Sequence, residues 1–254
     1  MTGAVGPPIR DAASVVLLRD GTSGLETWLL TRARAMVFAA GMSVFPGGRV
    51  EPEDSQLPGV AAVAREIARR FDCAESLASA LVGAAIRETF EESGLLLSVP
   101  PVEAMQERAD VESGRLSFRT LLDAHGVRVD GARLRPWARW ITPKGEVRRY
   151  DTRFFVACVP EGAVPVAATS ESSAATWLNV DRGLEEYQDG TRAMLPPTVA
   201  VLRAVAECET VADVLRAAET RDLRPVRPQL VRETDETWAV LPDGTRLLLP
   251  RSAG

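Results

Sequence analysis

Three carboxylates stand close together in Arg87-Glu88-Thr89-Phe90-Glu91-Glu92-Ser93-Gly94, and their spacing is the strongest chemical signal in the chain. Glu88, Glu91 and Glu92 fall at i, i+3 and i+4, so on a helix they share one face within reach of one another. Gly94 suits the left-handed cap that ends a helix. The three anions therefore sit in the final turns, where unsatisfied carbonyls already make the helix end negative. They repel each other and the dipole unless a cation answers them. Mg²⁺ or Mn²⁺ would do so, because hard divalent cations take oxygen ligands and combine a few carboxylates with waters and substrate phosphates. A bare Glu-x-x-Glu-Glu is also what a solvated acidic helix end looks like, with Arg87 partly neutralising it.

The elements that must position this helix end can be read around it. Ser14-Val15-Val16-Leu17-Leu18 and Leu25 to Leu30 are β-rich runs flanking the turn composition Asp20-Gly21-Thr22-Ser23-Gly24, which predicts a hairpin. Met42 to Phe45 is a further strand, stopped by Pro46, and Gly47-Gly48 free the backbone for a close approach. From Val60 to Phe71 the apolar residues Val63, Ile67 and Phe71 repeat every four positions between charged residues, the pattern of an amphipathic helix. The carboxylate helix itself spans about Glu75 to Ser93. Leu95-Leu96-Leu97 reads as a buried strand, Val102 to His125 as two short helices, and Trp137 to Ile141 with Arg153 to Val159 as a return to the sheet. Thr176 to Leu178 is a last short strand of the main body, and Thr198 to Ala218 reads as two helices. A terminal hairpin turns at Pro242-Asp243-Gly244.

Composition narrows the chemistry. The 254 residues are 46% hydrophobic and 26% charged, the balance of a globular protein with an ordinary core, and the net charge of −5 offers no general attraction to nucleic acid or an anionic membrane. An anionic substrate must be met locally, by clustered arginines or by metal. Cys73, Cys158 and Cys208 are far apart and form no Cys-x-x-Cys, so they read as buried small apolar side chains in a reducing, cytoplasmic protein. No run approaches the ~18 apolar residues of a membrane span. His125 is the only histidine and reads as a helix-end residue, which excludes Ser-His-Asp, Cys-His and multi-histidine metal chemistry.

Arg87 to Gly94 resembles the second half of the Nudix box, Arg-Glu-x-x-Glu-Glu-x-Gly, with Phe90 and Leu95 at its hydrophobic positions. A chance match of five specified residues is on the order of 10⁻⁶ per starting position. The first half resembles Gly47-Gly48-Arg49-Val50-Glu51-Pro52-Glu53-Asp54, with Asp54 in place of the commoner closing Glu. Residues 55 to 86, 32 in number, separate Asp54 from Arg87, a spacer much longer than the family's ordinary one. A similar interruption accompanies Phe45-Pro46-Gly47-Gly48, Trp140 to Pro143 and Asp151 to Phe155 in the Nudix subgroup of coenzyme A diphosphatases, so the resemblance covers roughly residues 12 to 200.

The resemblance implies an α/β/α sandwich around a mixed β-sheet, with a helical insertion at about 55–80 and a C-terminal helical and hairpin extension. The domain would span 1–200, with 201–254 packed on it. It implies hydrolysis of a pyrophosphate bond in a nucleoside diphosphate derivative, with Mg²⁺ or Mn²⁺ as cofactor. Coenzyme A or an acyl-coenzyme A is the first substrate expected; ADP-ribose or a dinucleotide is the second reading, and a catalytically silent nucleotide- or protein-binding fold is the third. Glu88, Glu91 and Glu92 would be the metal carboxylates, with the carbonyl of Gly47 or Gly48 as a further ligand and Arg87 as the group that orients them. Glu171, six residues before Trp177, matches the loop Glu that serves relatives as ligand or base, against an ordinary loop residue. Glu51, Glu53 and Asp54 have weaker claims. Arg32 and Arg34 would clamp phosphates, in a segment resembling the coenzyme A motif upstream of the box, although Val37 stands where that motif has a second arginine. Arg153, Trp137 and Trp140 read as core or ion-pair residues, with substrate contact as the rival. Many relatives are dimers, so a homodimer is the default expectation. The insertion helix is expected beside the active-site rim or at a subunit interface.

Overall fold

The computed structural model describes residues 7–33, 39–160, 162–166 and 172–249. Its frame is set by β1 (Ile9–Gly21), whose run Val15-Val16-Leu17-Leu18 is fully buried because both faces of the strand are covered. After the hairpin comes β2 (Gly24–Arg32), antiparallel to β1 with Leu18 opposite Thr27. Two short strands follow, β3 (Ser43–Val44) on β2 and β4 (Gly47–Arg49) on the N-terminal half of β1. Pro46 marks the crossing between them, and its carbonyl accepts from Val15 N–H at 2.8 Å.

Then come α1 (Ala61–Phe71), α2 (Glu75–Ser93), β5 (Ser98–Val99), α3 (Arg108–Glu112), α4 (Phe118–His125) and β6 (Arg128–Val129). The chain returns to the sheet through β7 (Arg135–Ile141), β8 (Arg149–Cys158) and β9 (Ser172–Asn179). It ends in α5 (Val180–Gln188), α6 (Pro196–Val205), α7 (Val211–Thr220) and the strands β10 (Gln229–Glu233), β11 (Glu236–Val240) and β12 (Arg246–Leu248). The main sheet runs β3-β2-β1-β8-β7, with β4 added on β1 and β9 on β2; β1 and β8 are parallel and the remaining pairs antiparallel, so the sheet is mixed.

Alternation along the strands divides the core into two layers. Val15, Leu17, Phe155 and Ala157 face the cluster built by α1, α2 and α4. Val16, Leu18, Phe154 and Val156 face the other, built by α6, α7 and Leu247 of β12. The result is the expected α/β/α sandwich, and the last three strands pair into a small antiparallel sheet of their own.

Four expectations change. Leu95-Leu96-Leu97 is buried but forms no strand, and only Ser98–Val99 pairs, with β6. A short apolar run marks burial without deciding between strand and connector. Helix α5, capped by the Asn179 side chain accepting from Arg182 N–H and packed on the core through Val180, Leu184 and Tyr187, is an addition to the expected elements, as is strand β10. Cys158 is exposed and Cys73 and Cys208 are half-buried, where all three were expected to be buried. The insertion helix α1 is not at the rim: its stripe of Ala64, Ile67, Ala68 and Phe71 enters the core against α2, with Phe71 edge-on to Phe155 at 5.5 Å, and none of it lines the active-site cleft.

Candidate active site

Helix α2 changes character along its length. Its first turn is exposed and holds Glu75, residues 78–86 are small or aliphatic and buried, and the remaining charge is gathered in the last two turns. Gly94 ends it with φ +73°, and Gly94 N–H donates to the Phe90 carbonyl at 2.7 Å. Arg108, from α3, donates to the Glu91 carbonyl at 2.7 Å and so places a cation at the negative helix end.

Arg87 is the centre of the charged segment. Its Nε donates to Asp54 Oδ1 at 2.9 Å and its Nη2 to Asp54 Oδ2 at 3.1 Å, a two-point ion pair that is almost entirely buried. Nη2 also donates to the Arg49 carbonyl at 3.1 Å. Nη1 reaches Glu88 at 2.9 Å and Glu91 at 3.4 Å. One guanidinium therefore ties the two halves of the motif together across 33 residues and holds two of the three carboxylates. Two glycines make this possible. A Cβ on Gly83, one turn before Arg87, would lie 2.2 Å from the Asp54 carbonyl oxygen. A Cβ on Gly48 would lie 2.3 Å from a Glu88 carboxylate oxygen. The close approach anticipated for Gly47-Gly48 is thus to the carboxylate helix itself, and Gly47 N–H donates to Glu92 Oε2 at 2.8 Å.

Burial works against the charge of Glu91. Loss of water pushes its carboxyl up to about 7; Arg87 opposes the shift and the neighbouring Glu88 and Glu51 reinforce it. Burial lowers the Arg87 pKa, but its hydrogen bonds to Asp54 and the charges of Glu88, Asp54 and Glu91 outweigh that and hold it charged, well above its ordinary value. The site is short of positive charge at Glu91 although Arg87 is fully ionised.

A cleft of about 790 Å³ opens over this surface, and Glu88, Glu91, Arg87, Gly47, Gly48 and Arg32 line it. Glu92 is buried behind them, turned to the Gly47 amide. Among the described residues no three acidic, imidazole or thiol side chains already converge as a ligand shell. The donor set still fits a hard divalent ion: oxygen donors only, two of them at the cleft surface, in the arrangement that leaves the rest of the shell to waters and substrate oxygens. Arg34 and Glu171 lie outside the described residues. Trp137 and Trp140 are core residues, and the buried Arg153 pairs with Asp11 and Asp151, so none of the three reaches the cleft. His125 ends α4 and faces Glu107 at 3.2 Å.

Asp54 is the residue whose part the sequence understated. Its place at the end of the first half of the motif was visible; its burial and its grip on Arg87 were not. Glu51 was also undervalued, since it lines the cleft and raises the Glu91 pKa.

Comparison with known proteins places this geometry. The family model described as the NUDT19 Nudix domain matches residues 74–205, just over half of the chain. The protein named acyl-coenzyme A diphosphatase NUDT19 of Xenopus laevis is 26% identical over 224 positions, covering 70% of this chain and 59% of that protein. Its namesake in Gallus gallus is 27% identical over 274 positions, covering 84% and 72%. The crystal structure of a NUDIX hydrolase from Alicyclobacillus acidocaldarius superposes with a TM-score of 0.72 at 30% identity, over 87% of this chain and 100% of that one.

Proposed function

The chain belongs to the Nudix hydrolase family, and from that premise we propose that it cleaves the pyrophosphate of coenzyme A or an acyl-coenzyme A, giving 3′,5′-ADP and phosphopantetheine or its acylated form. The observation that carries the reading is the Arg87 hub, which gathers Asp54, Glu88 and Glu91 at the floor of a cleft with a Gly-Gly backbone against the carboxylates. The substrate choice draws on the relatives named acyl-coenzyme A diphosphatases and on the Arg32 segment, in which Arg32 lines the cleft.

Glu88 and Glu91 would hold a Mg²⁺ or Mn²⁺ ion at the cleft surface, with Glu92 and the Gly48 carbonyl as the further donors. When bound, such an ion neutralises phosphate oxygens and lowers the pKa of water. The chain's own residues do the positioning. Arg87 fixes the Glu88 and Glu91 rotamers by hydrogen bonds, Asp54 fixes Arg87, and Gly47 N–H fixes Glu92. Glu91, held near neutrality by burial, accepts charge compensation more readily than a solvated carboxylate. Arg32 and Arg34 would take phosphate oxygens, and Glu171 would serve as ligand or base.

The test is a mass-spectrometric product assay with Mg²⁺ or Mn²⁺ on coenzyme A, an acyl-coenzyme A, ADP-ribose, NADH and a diadenosine polyphosphate, with Glu92→Gln beside the wild type. Metal-dependent cleavage of the coenzyme A compounds that the variant loses supports the reading. Because Val37 departs from the coenzyme A motif, ADP-ribose or a dinucleotide is the second reading, and faster cleavage of those would replace the first. No turnover of any compound, with no thermal stabilisation by divalent metal, would move the protein to a binding role.

A further inference from the structure

The cleft does not end at the carboxylates. The parallel register of β1 and β8 sets Arg10 opposite Tyr150, Ala12 opposite Thr152 and Ser14 opposite Phe154, and all six residues line it. Gly48 is level with Ala13 on β1, so the carboxylate end lies three residues from Arg10, about 10 Å along the strand. Between the two ends the floor is low, made of Ala12, Ala13 and Thr152.

The arginines at the two ends differ. Arg49 is paired with Glu51 at 3.3 Å, and Arg87 is engaged with Asp54, Glu88 and Glu91. Arg10 and Arg148, which line the far end, are exposed and have no carboxylate in ion-pair distance among the described residues. Asp11, next to Arg10 in the chain, is engaged by the buried Arg153 instead. Arg149 is spent on its own turn, donating to the carbonyls of Thr142 and Pro143 at 3.2–3.3 Å, and Tyr150 N–H donates to Thr142 Oγ1 at 2.9 Å. These bonds brace the turn that carries Arg148. Two unspent guanidinium groups beside an aromatic ring, in a cleft whose other end is acidic, make a phosphate-binding surface. The planar fork matches a phosphate at two points, and the phenol ring offers a face to a base.

We propose that Arg10 and Arg148 form a second anion subsite for a phosphate monoester on the nucleotide half of the substrate, outside the scissile pyrophosphate, with Tyr150 against the base. The proposal rests on the pyrophosphate reading above and deepens it: the cleft selects nucleoside diphosphate derivatives that bear an additional ribose phosphate.

Binding and turnover test it separately. Calorimetric titration without divalent metal, using 3′,5′-ADP and 5′-AMP, is expected to show the wild type binding 3′,5′-ADP about tenfold tighter or better. The double variant R10Q/R148Q should lose that preference while keeping its affinity for 5′-AMP and its Tm. Equal binding of the two nucleotides by wild type, binding of neither, or a preference that survives in the variant would overturn the subsite. In turnover, coenzyme A and 3′-dephospho-coenzyme A should be separated by KM, and the variant should raise KM for coenzyme A alone with kcat retained. Hydrolysis of both compounds with no such KM effect sinks the subsite and leaves the pyrophosphate reading standing. A binding preference that the variant abolishes, with no hydrolysis of any compound, supports the subsite and sinks the pyrophosphate reading.

Discussion

The two ends of one cleft are built on opposite principles. At the carboxylate end the charges are dense, buried and engaged with one another: Asp54, Arg87, Glu88 and Glu91 form one network, and Glu92 is fixed by a backbone amide. At the arginine end Arg10 and Arg148 are exposed and carry no ion pair among the described residues. The first end is preorganised, so its geometry persists without ligand; the second waits for an anion to complete it. Mutations at the carboxylate end should therefore disturb chemistry, and fold as well where they break the Asp54–Arg87 pair, whereas at the other end they should change specificity alone.

The largest expected effect is chemical. Glu92→Gln, or chelation of divalent metal, should lower kcat/KM by a factor on the order of 10³, read by product mass spectrometry, while the melting temperature of the variant stays within a few degrees of wild type. A variant with full activity would break the assignment of Glu92 to the metal carboxylates. Next comes the buried pair. Asp54→Ala leaves Arg87 without its two-point partner and should cost about 3 kcal/mol in urea unfolding, because a buried charge loses its counter-ion. Glu88 and Glu91 remain to hold Arg87, which keeps the loss from being larger.

Gly83→Ala tests the same contact by steric means. Its Cβ would meet the Asp54 carbonyl at 2.2 Å, and overpacking of this kind costs about 1–3 kcal/mol. Combined with Asp54→Ala the two losses should add to less than their sum, since both act on one contact. Full additivity in urea titrations would separate the glycine from the ion pair.

The smallest effect is the pH dependence of the metal-free protein. Folding raises the Glu91 carboxyl from an ordinary value of 4.5 to about 7, so the folded state binds its proton more tightly than the unfolded chain. The stability this confers is complete below pH 4.5 and is lost as pH rises through about 7. Thermal melts should accordingly show Glu91→Gln gaining a few degrees over wild type at pH 8 and nothing at pH 4. Added Mg²⁺ should close the gap by stabilising only the wild type. An unchanged difference across that range would show that Glu91 is compensated without metal.

Much of the carboxylate end is legible in the sequence. The carboxylate helix could be read because its information is local: spacing at i, i+3 and i+4, a glycine cap, and an Ala- and Leu-rich body that must be buried. The hairpin of β1 and β2, the insertion helix and the sandwich itself followed from equally local periods and from the resemblance of the Arg87–Gly94 segment. The side of α1 that meets α2, the loss of strand structure at Leu95–Leu97 and the seating of α5 on the second core layer did not, since short apolar runs state that a segment is buried without stating against what.

What the sequence determined by itself is the chemistry available: three carboxylates on one helical face, two glycines that permit close approach, and a single histidine that reads as a helix-end residue. Only the tertiary structure decided how those groups are used. It seated Asp54 on Arg87 through a gap at Gly83, turned Glu92 to the Gly47 amide, and set Arg10 across from Tyr150. The reason is physical. A helix fixes relations between residues three and four apart through its own geometry, whereas a pairing across 33 residues, or a parallel register across 140, depends on how whole elements pack.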